Sequence, residues 1–219
     1  MNILVIDTIS QTMTVAAESE NGFASINLAC GLHHAEHLLP LIEIVSEKAG
    51  FSVQEVSTLI CPQGPGSFTG LRIGYAAAKA LQLSTDAKFL TFPTLEALAY
   101  KFRLWQGQVL AIMDAKRNRF YGNIYKNGKP LFEDSDSSAA ELLAKIKNSE
   151  PCIVTGYGVN LFMQQAKTIA NTENIIPIET GKTELTESLL QMAKACNNQQ
   201  AESDTAAPVY IRKSDAEGG

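Results

Sequence analysis

Between positions 64 and 74 the chain reads Gly-Pro-Gly-Ser-Phe-Thr-Gly-Leu-Arg-Ile-Gly. Ahead of this stretch, Thr58-Leu59-Ile60-Cys61 is a short apolar run of strand type. Behind it, Ile73, Ala76, Ala77, Ala80 and Leu81 recur at the spacing of an amphipathic helix. A glycine-rich turn therefore joins a strand to a helix, which commits this part of the chain to an α/β architecture. Gly64, Gly66 and Gly70 allow a tight turn and the close approach of another backbone or an anion. Ser67 and Thr69 stand where a hydroxyl can cap the helix, at the positive end of its dipole. Such a turn suits phosphate, and it suits plain tight packing equally.

The established phosphate and nucleophile motifs do not match. A P-loop ends in Gly-Lys-Ser/Thr, whereas this turn runs Thr69-Gly70-Leu71 without a lysine. The dinucleotide fingerprint requires glycine where Thr69 stands, and the strand expected at 88–92 ends without the ribose-binding acid. A hydrolase elbow around Ser67 would need glycines at 65 and 69, which are Pro65 and Thr69. The helix beyond carries small residues at Gly74, Ala77, Ala78 and Ala80, which permit close approach of a second helix. Periodicity does not decide whether that neighbour belongs to this chain or to a partner.

Composition narrows the class. The 219 residues suffice for one large domain or two small ones, with 45% hydrophobic and 19% charged residues. A net charge of −5 argues against a broad basic face that binds nucleic acid unaided. Cys30, Cys61, Cys152 and Cys196 are scattered, as expected of reduced thiols and not of a disulfide frame or zinc site. No signal peptide and no apolar stretch of membrane-spanning length is evident, so a cytosolic protein is expected.

The chain opens with a strand at 2–6, a second at 12–17, an Asn21-Gly22 hairpin signal and a third strand at 23–28. Asp7 follows the first strand, where a carboxylate either holds a metal–phosphate or closes an Asx turn. His33 and His37 are four apart, the spacing of two ligands on one helical face, but no third ligand or fixed acid accompanies them. Leu38, Leu41, Ile42, Val45 and Ala49 then form a helix stripe ending at Gly50, with Pro40 admissible only within the first turn. Ser52 and Glu55 have capping-box spacing. A strand at 88–92 and a helix from Thr94 complete the first half, taken as 1–105.

The second half, 106–219, repeats the opening: a strand at 109–113 ending at Asp114, a returning strand at 120–125, an Asn127-Gly128 turn and a third strand at 129–132. Between the first two lies a basic turn with Lys116, Arg117 and Arg119, for which contact with solvent is the default reading and contact with nucleic acid the other. Ser138 and Glu141 cap a helix. A strand at 152–155, the turn Gly156-Tyr157-Gly158, a helix at 161–170, a strand at 175–178 and a helix at 185–195 follow. Residues 197–207 are linker-like, and Pro208-Val209-Tyr210-Ile211-Arg212 is an apolar-basic tail expected to dock back. Two halves of this pattern imply a duplicated α/β unit, with nucleotide sites in such folds usually found between the halves.

Ile3-Leu4-Val5-Ile6-Asp7-Thr8, His37-Leu38-Leu39-Pro40, the 64–74 turn, Thr94-Leu95-Glu96-Ala97-Leu98, Asp114-Ala115-Lys116 with Tyr121, and the 208–212 tail occur in that order. In this the chain resembles, over nearly its whole length, the TsaB (YeaZ) family of glycoprotease-like proteins, which serve threonylcarbamoyl-adenosine synthesis in bacterial tRNA. The resemblance implies an actin/Hsp70/sugar-kinase-like, ribonuclease H-like duplicated fold with two mixed sheets flanked by helices. It also implies a non-catalytic scaffold that binds TsaD, the subunit transferring the threonylcarbamoyl group, supports the ATPase TsaE, and forms a homodimer when alone. It would reach tRNA only through the complex. In TsaD an Asn-His-Leu-Glu-Gly-His-like segment holds the metal. Thr94 and Leu98 stand at the two histidine positions here, so no metal and no catalytic residue is expected.

By the same resemblance, helices at 36–49 and 71–84 pack against the matching pair of TsaD, with Glu36, Leu39, Arg72, Gly74, Ala77, Ala78 and Leu81 at the interface. No cofactor is expected for the chain alone. ATP belongs to the complex, where Asp7, Thr8, Gly64, Gly66, Ser67 and Thr69 are the candidate nucleotide contacts. Pro62, where relatives often have glycine, and Lys116, where they have arginine, depart from the pattern. An ATP-binding kinase-like enzyme and a metallopeptidase are the alternative readings.

Overall fold

The computed structural model describes residues 1–31, 33–196 and 207–212. Two compact units emerge, one comprising 1–93 and 182–209 and the other 94–181 and 210–219. In the first, β1 (Ile3–Asp7), β2 (Thr12–Glu18) and β3 (Phe23–Ala29) form an antiparallel meander. Helix α1 (His34–Lys48) and a single 3-10 turn at Val53–Glu55 lead to β4 (Thr58–Gly64), and α2 (Phe68–Thr85) leads to β5 (Lys88–Pro93). The sheet order is β3-β2-β1-β4-β5, with β4 parallel to both β1 and β5.

The second unit follows the same plan. Helix α3 (Thr94–Tyr100) precedes β6 (Gln108–Asp114), β7 (Phe120–Lys126), β8 (Lys129–Pro130) and β9 (Ser135–Ser137). Helix α4 (Ala139–Lys145), β10 (Cys152–Tyr157), α5 (Val159–Ile169) and β11 (Ile175–Glu179) follow, and α6 (Glu184–Ala195), next in the chain, belongs to the first unit. Its sheet runs β11-β10-β6-β7-β8, with β9 also paired to β7. The duplication extends to connectivity: β1, β2, β4 and β5 correspond to β6, β7, β10 and β11, and α1, α2 and α3 to α4, α5 and α6.

Burial explains the local structures. Every residue of β1 is buried, as a central strand covered on both faces requires. Helix α1 buries Leu38, Ile42 and Val45 at three- and four-residue spacing, and α5 buries Val159, Phe162, Met163 and Ala166. Edge-to-face ring pairs lock each core, Tyr75 on Phe89 in the first and Phe120 on Phe162 in the second, both with centroids 5.4 Å apart. Both expected capping boxes form, Ser52 with Glu55 and Ser138 with Glu141.

Four features depart from the sequence expectation. First, the boundary falls at 93/94 instead of 105/106, and 182–209 join the first unit: α3 packs on β6, β7 and β10 of its own unit, and α6 on β1, β2, β4 and β5 of its own. Second, α1 starts at His34, so Pro40 lies in its second turn. The exposed side of the helix accommodates it, since the carbonyl left without an N–H partner can turn to water. Third, the strand expected at 129–132 is only two residues long, and its place beside β7 is completed by β9. Fourth, the buried stripe of α2 is Gly70, Leu71, Gly74, Tyr75 and Ala78, leaving Ala76 and Ala80 exposed.

Candidate functional site

The turn at 64–70 is closed by its own chain. Ser67 caps α2, its Oγ accepting from the Gly70 amide at 3.2 Å, while Thr69 lies within the first helical turn, exposed, and caps nothing. Each glycine makes room for a particular neighbour. A Cβ on Gly70 would stand 2.0 Å from the carbonyl oxygen of Thr8, and one on Gly74 would stand 2.7 Å from Thr8 Oγ1. A Cβ on Gly66 would lie 2.8 Å from that of Ile9, and one on Gly64, whose φ is +114°, would meet the Val209 carbonyl oxygen at 2.3 Å. Hydrogen bonds fasten the same approach: Thr8 Oγ1 donates to the Gly70 carbonyl at 2.7 Å, the Ser67 amide to that of Ile9 at 3.0 Å, and the Val209 amide to that of Gln63 at 2.9 Å.

Asp7, at the end of β1, is 1% exposed, and its Oδ1 accepts the Ile9 amide at 3.0 Å, the geometry of an Asx turn. Burial, opposed by that one hydrogen bond, pushes its carboxyl up to about 7. The neighbouring Cys61 thiol is also held well above its ordinary range, by burial first and by the Asp7 charge second. Of the six candidate nucleotide contacts, Asp7, Thr8 and Gly64 are buried, Gly66 is half-buried, and Ser67 and Thr69 reach the surface.

The second unit repeats this packing with a different sequence. Gly156 has φ +121° and would place a Cβ 2.0 Å from the Ile112 carbonyl oxygen. Gly158 has φ +100° and lies against Asp114, with 3.1 Å between their Cβ positions. The equivalent turns of both units are therefore glycine-rich because a strand end presses against them.

The other notable surface is made by α1 and α2. Leu39, Ile44 and Leu83 are apolar yet 57%, 43% and 81% exposed. Glu36, Arg72, Ala76 and Ala80 share the exposed sides of these helices, with the Arg72 guanidinium 3.9 Å over the Phe68 ring. Where α1 meets the 3-10 turn, a concavity of about 650 Å³ is lined by Leu39, Ile42, Glu43, Phe51, Val53 and Leu81, among others. Of the expected interface residues, Glu36, Leu39 and Arg72 are exposed, and Ala77 and Leu81 are half-buried. Gly74 and Ala78 are corrected: both face the chain's own sheet, where their small size admits Thr8 and the core, so neither offers a surface to a partner. Ile44, Ala76, Ala80 and Leu83 lie on the same exposed sides, and the phase set by Leu71 and Tyr75 accounts for the three on α2.

The histidines separate. His34 Nε2 lies 2.9 Å from the Ser10 carbonyl oxygen, His33 Nδ1 lies 2.9 Å from Glu36 Oε1, and His37 is exposed. Among the described residues no three His, Cys, Asp or Glu side chains converge as a metal site. Thr94 and Leu98 are buried. The basic turn is partly spoken for: Lys116 Nζ lies 2.8 Å from Asp114, and Arg119 Nε donates to Asp136 Oδ1 at 2.7 Å. The Nε of Arg212, from the tail, donates to Asp136 Oδ2 at 2.7 Å, and its Nη1 to the Ala115 carbonyl at 3.1 Å. The two guanidiniums hold the Asp136 carboxyl below its usual range against the effect of burial.

Residues 28–218 match the family model for TsaD, tRNA N6-adenosine threonylcarbamoyltransferase. The Bacillus subtilis (strain 168) tRNA threonylcarbamoyladenosine biosynthesis protein TsaB is 27% identical over 223 residues, covering 99% of this chain and 96% of that protein. A Pseudomonas aeruginosa protein described as similar to the peptidase YeaZ superimposes with a TM-score of 0.78 at 22% identity, over 96% of this chain and 99% of the other. A Bacteroides thetaiotaomicron protein with an actin-like ATPase fold gives a TM-score of 0.50 at 9% identity, over 87% and 95%. The chain therefore shares the duplicated actin-like fold of these two solved structures. Among the described residues no helix is long and apolar enough to cross a membrane.

Proposed function

The chain belongs to the TsaD family, in the group of its relatives named TsaB or YeaZ, and from that premise we propose that it is a non-catalytic partner subunit for threonylcarbamoylation of tRNA. It would bind the TsaD transferase through α1 and α2, support TsaE in the cytosol, and use the same face for a homodimer when alone. One observation carries this reading. A concavity beside α1 and the 3-10 turn is lined by Leu39, Ile42, Phe51, Val53 and Leu81, among others, and a contiguous groove of this kind, with Leu39, Ile44 and Leu83 exposed on α1 and α2, supports a partner on this face. The neighbouring turn favours packing over chemistry, since Thr8, Ile9 and Val209 fill it. A nucleotide shared within the complex would meet this chain through the exposed hydroxyls of Ser67 and Thr69.

The test is mass spectrometry of nucleosides from bulk tRNA after depletion of this protein in its own cell. Depletion is expected to lower threonylcarbamoyl-adenosine at least about tenfold, as loss of an obligatory subunit would. The intact gene should restore it and a Leu39→Arg/Leu83→Arg double variant should not, because two buried unpaired guanidiniums would oppose the helix contact. Both positions are exposed in the monomer, so the variant should fold, as circular dichroism would confirm. Unchanged modification after full depletion would reject the role. Full restoration by the double variant would reject this interface.

A further inference from the structure

The duplicated architecture supplies an internal comparison for the outer strand of each meander. In the second unit this position is blunted. It is split into β8, two residues containing Lys129 and Pro130, and β9, three residues containing Asp136. Short strands, proline and charge are the usual protections of an open sheet edge. The outer strand β11 on the other side of that sheet carries Pro177 at its centre. In the first unit the corresponding strand, β3, has none of these protections. It runs seven residues, Phe-Ala-Ser-Ile-Asn-Leu-Ala, without charge, proline or bulge, and pairs with β2 in unbroken register.

We infer that β3 is a pairing edge that takes β3 of a second copy of this chain, antiparallel about Ile26, joining two five-stranded sheets into one of ten. The side chains are self-complementary in that register. Ala24, Ile26 and Leu28 pack on the core side, and the two-fold sets Ala24 opposite Leu28 and Ile26 opposite itself, extending the apolar row. On the other face Ser25 meets Asn27. The Asn27 side chain is exposed, and its Oδ1 accepts from Thr14 Oγ1 at 2.7 Å, so its amide group is the donor it can offer a neighbouring strand. Phe23, half exposed, meets Ala29, and no charge opposes its like anywhere along the seam. The backbone is available in the same sense. The Ser19 amide bonds the Gly22 carbonyl to close the β2–β3 hairpin, so by alternation residues 24, 26 and 28 bond to β2 while Phe23, Ser25, Asn27 and Ala29 direct their amides outward.

This edge is separate from the α1–α2 face, and its test is independent of tRNA modification. Leu83→Arg removes the helix-face contact, so the full-length Leu83→Arg chain is the starting protein. Analytical ultracentrifugation at about 100 µM should still show dimer, which Phe23→Lys/Ala29→Lys added to it should abolish by placing lysines opposite one another. Residue-resolved hydrogen exchange guards against a folding artefact. The Ser25 and Asn27 amides should exchange at least about tenfold more slowly in the dimer than at dilution where it dissociates. A monomeric Leu83→Arg chain at that concentration would overturn the proposal. So would a dimer that survives the lysines, or one whose Ser25 and Asn27 amides exchange no more slowly than at dilution.

Discussion

Gly70→Ala should destabilise the first unit by about 3–4 kcal/mol, at the upper end of what overpacking costs. The added Cβ would sit 2.0 Å from the Thr8 carbonyl oxygen and 2.9 Å from its carbon. Those are backbone atoms at the end of a fully buried central strand, so they cannot rotate aside as a side-chain tip would. Any shift of α2 that relieved the clash would stretch the buried hydrogen bond from Thr8 Oγ1 to the Gly70 carbonyl, itself worth about 1 kcal/mol. Urea denaturation followed by Tyr75 and Phe89 resonances, both in this unit's core, measures the effect where it occurs. Gly156→Ala, aimed at the Ile112 carbonyl oxygen at 2.0 Å with φ +121°, should weaken the second unit comparably. Gly22→Ala is the control: its Cβ would have only the Lys48 carbonyl oxygen at 3.9 Å, and stability should change by less than about 0.5 kcal/mol. A loss below about 1 kcal/mol for Gly70→Ala would mean that Thr8 and α2 are not packed as described.

The same residues show what a reader of sequence alone can and cannot obtain. Strand positions apart from the short β8 and the unforeseen β9, the hairpin turns, both capping boxes and the duplication are written in local periodicity and short motifs, and they stand where expected. Three things were hidden because they depend on non-local contacts. Gly74 belongs to the buried stripe of α2, but a glycine carries no hydrophobic signal, so the pattern Ile73, Ala76, Ala77, Ala80 and Leu81 gave a phase that left out Gly74, Tyr75 and Ala78. Helices α3 and α6 look like ordinary amphipathic segments, and nothing local to either says which sheet it will cover. The purpose of the glycine turn was undecided between anion and backbone. The deciding atoms, the Thr8 carbonyl and the Val209 carbonyl, lie 62 and 145 residues away in sequence from Gly70 and Gly64. Conversely, the Asx-turn alternative for Asp7 was legible, since a carboxylate two residues before a free amide suffices for it.

Asp7→Asn should make the chain more stable at pH 8 and remove much of its pH dependence. The carboxyl is buried at the end of β1 and titrates at about 7 in the fold, against 3.8 for the model carboxyl that represents the unfolded chain. Because the folded value is raised, the native state holds the extra proton between these limits. The contribution to stability is therefore complete below about pH 4 and is lost as pH rises through about 7. Roughly three pH units at 1.36 kcal/mol each make the full swing about 4 kcal/mol, an upper figure because the structure can relax around the charge. Asparagine keeps the oxygen that accepts the Ile9 amide and cannot ionise. Its amide nitrogen brings N–H donors that have no acceptor among the described contacts, which offsets the gain by about 1–2 kcal/mol. The expected result is a variant about 2 kcal/mol more stable than the parent at pH 8 and equal or weaker at pH 5. Urea midpoints across that range, taken as variant minus parent, cancel the histidines and exposed carboxylates common to both. Parallel pH curves for the two proteins would show that Asp7 is ionised in the native fold at neutral pH. The carboxylate would then need a counter-charge, and a bound cation at the end of β1 would become the first thing to seek.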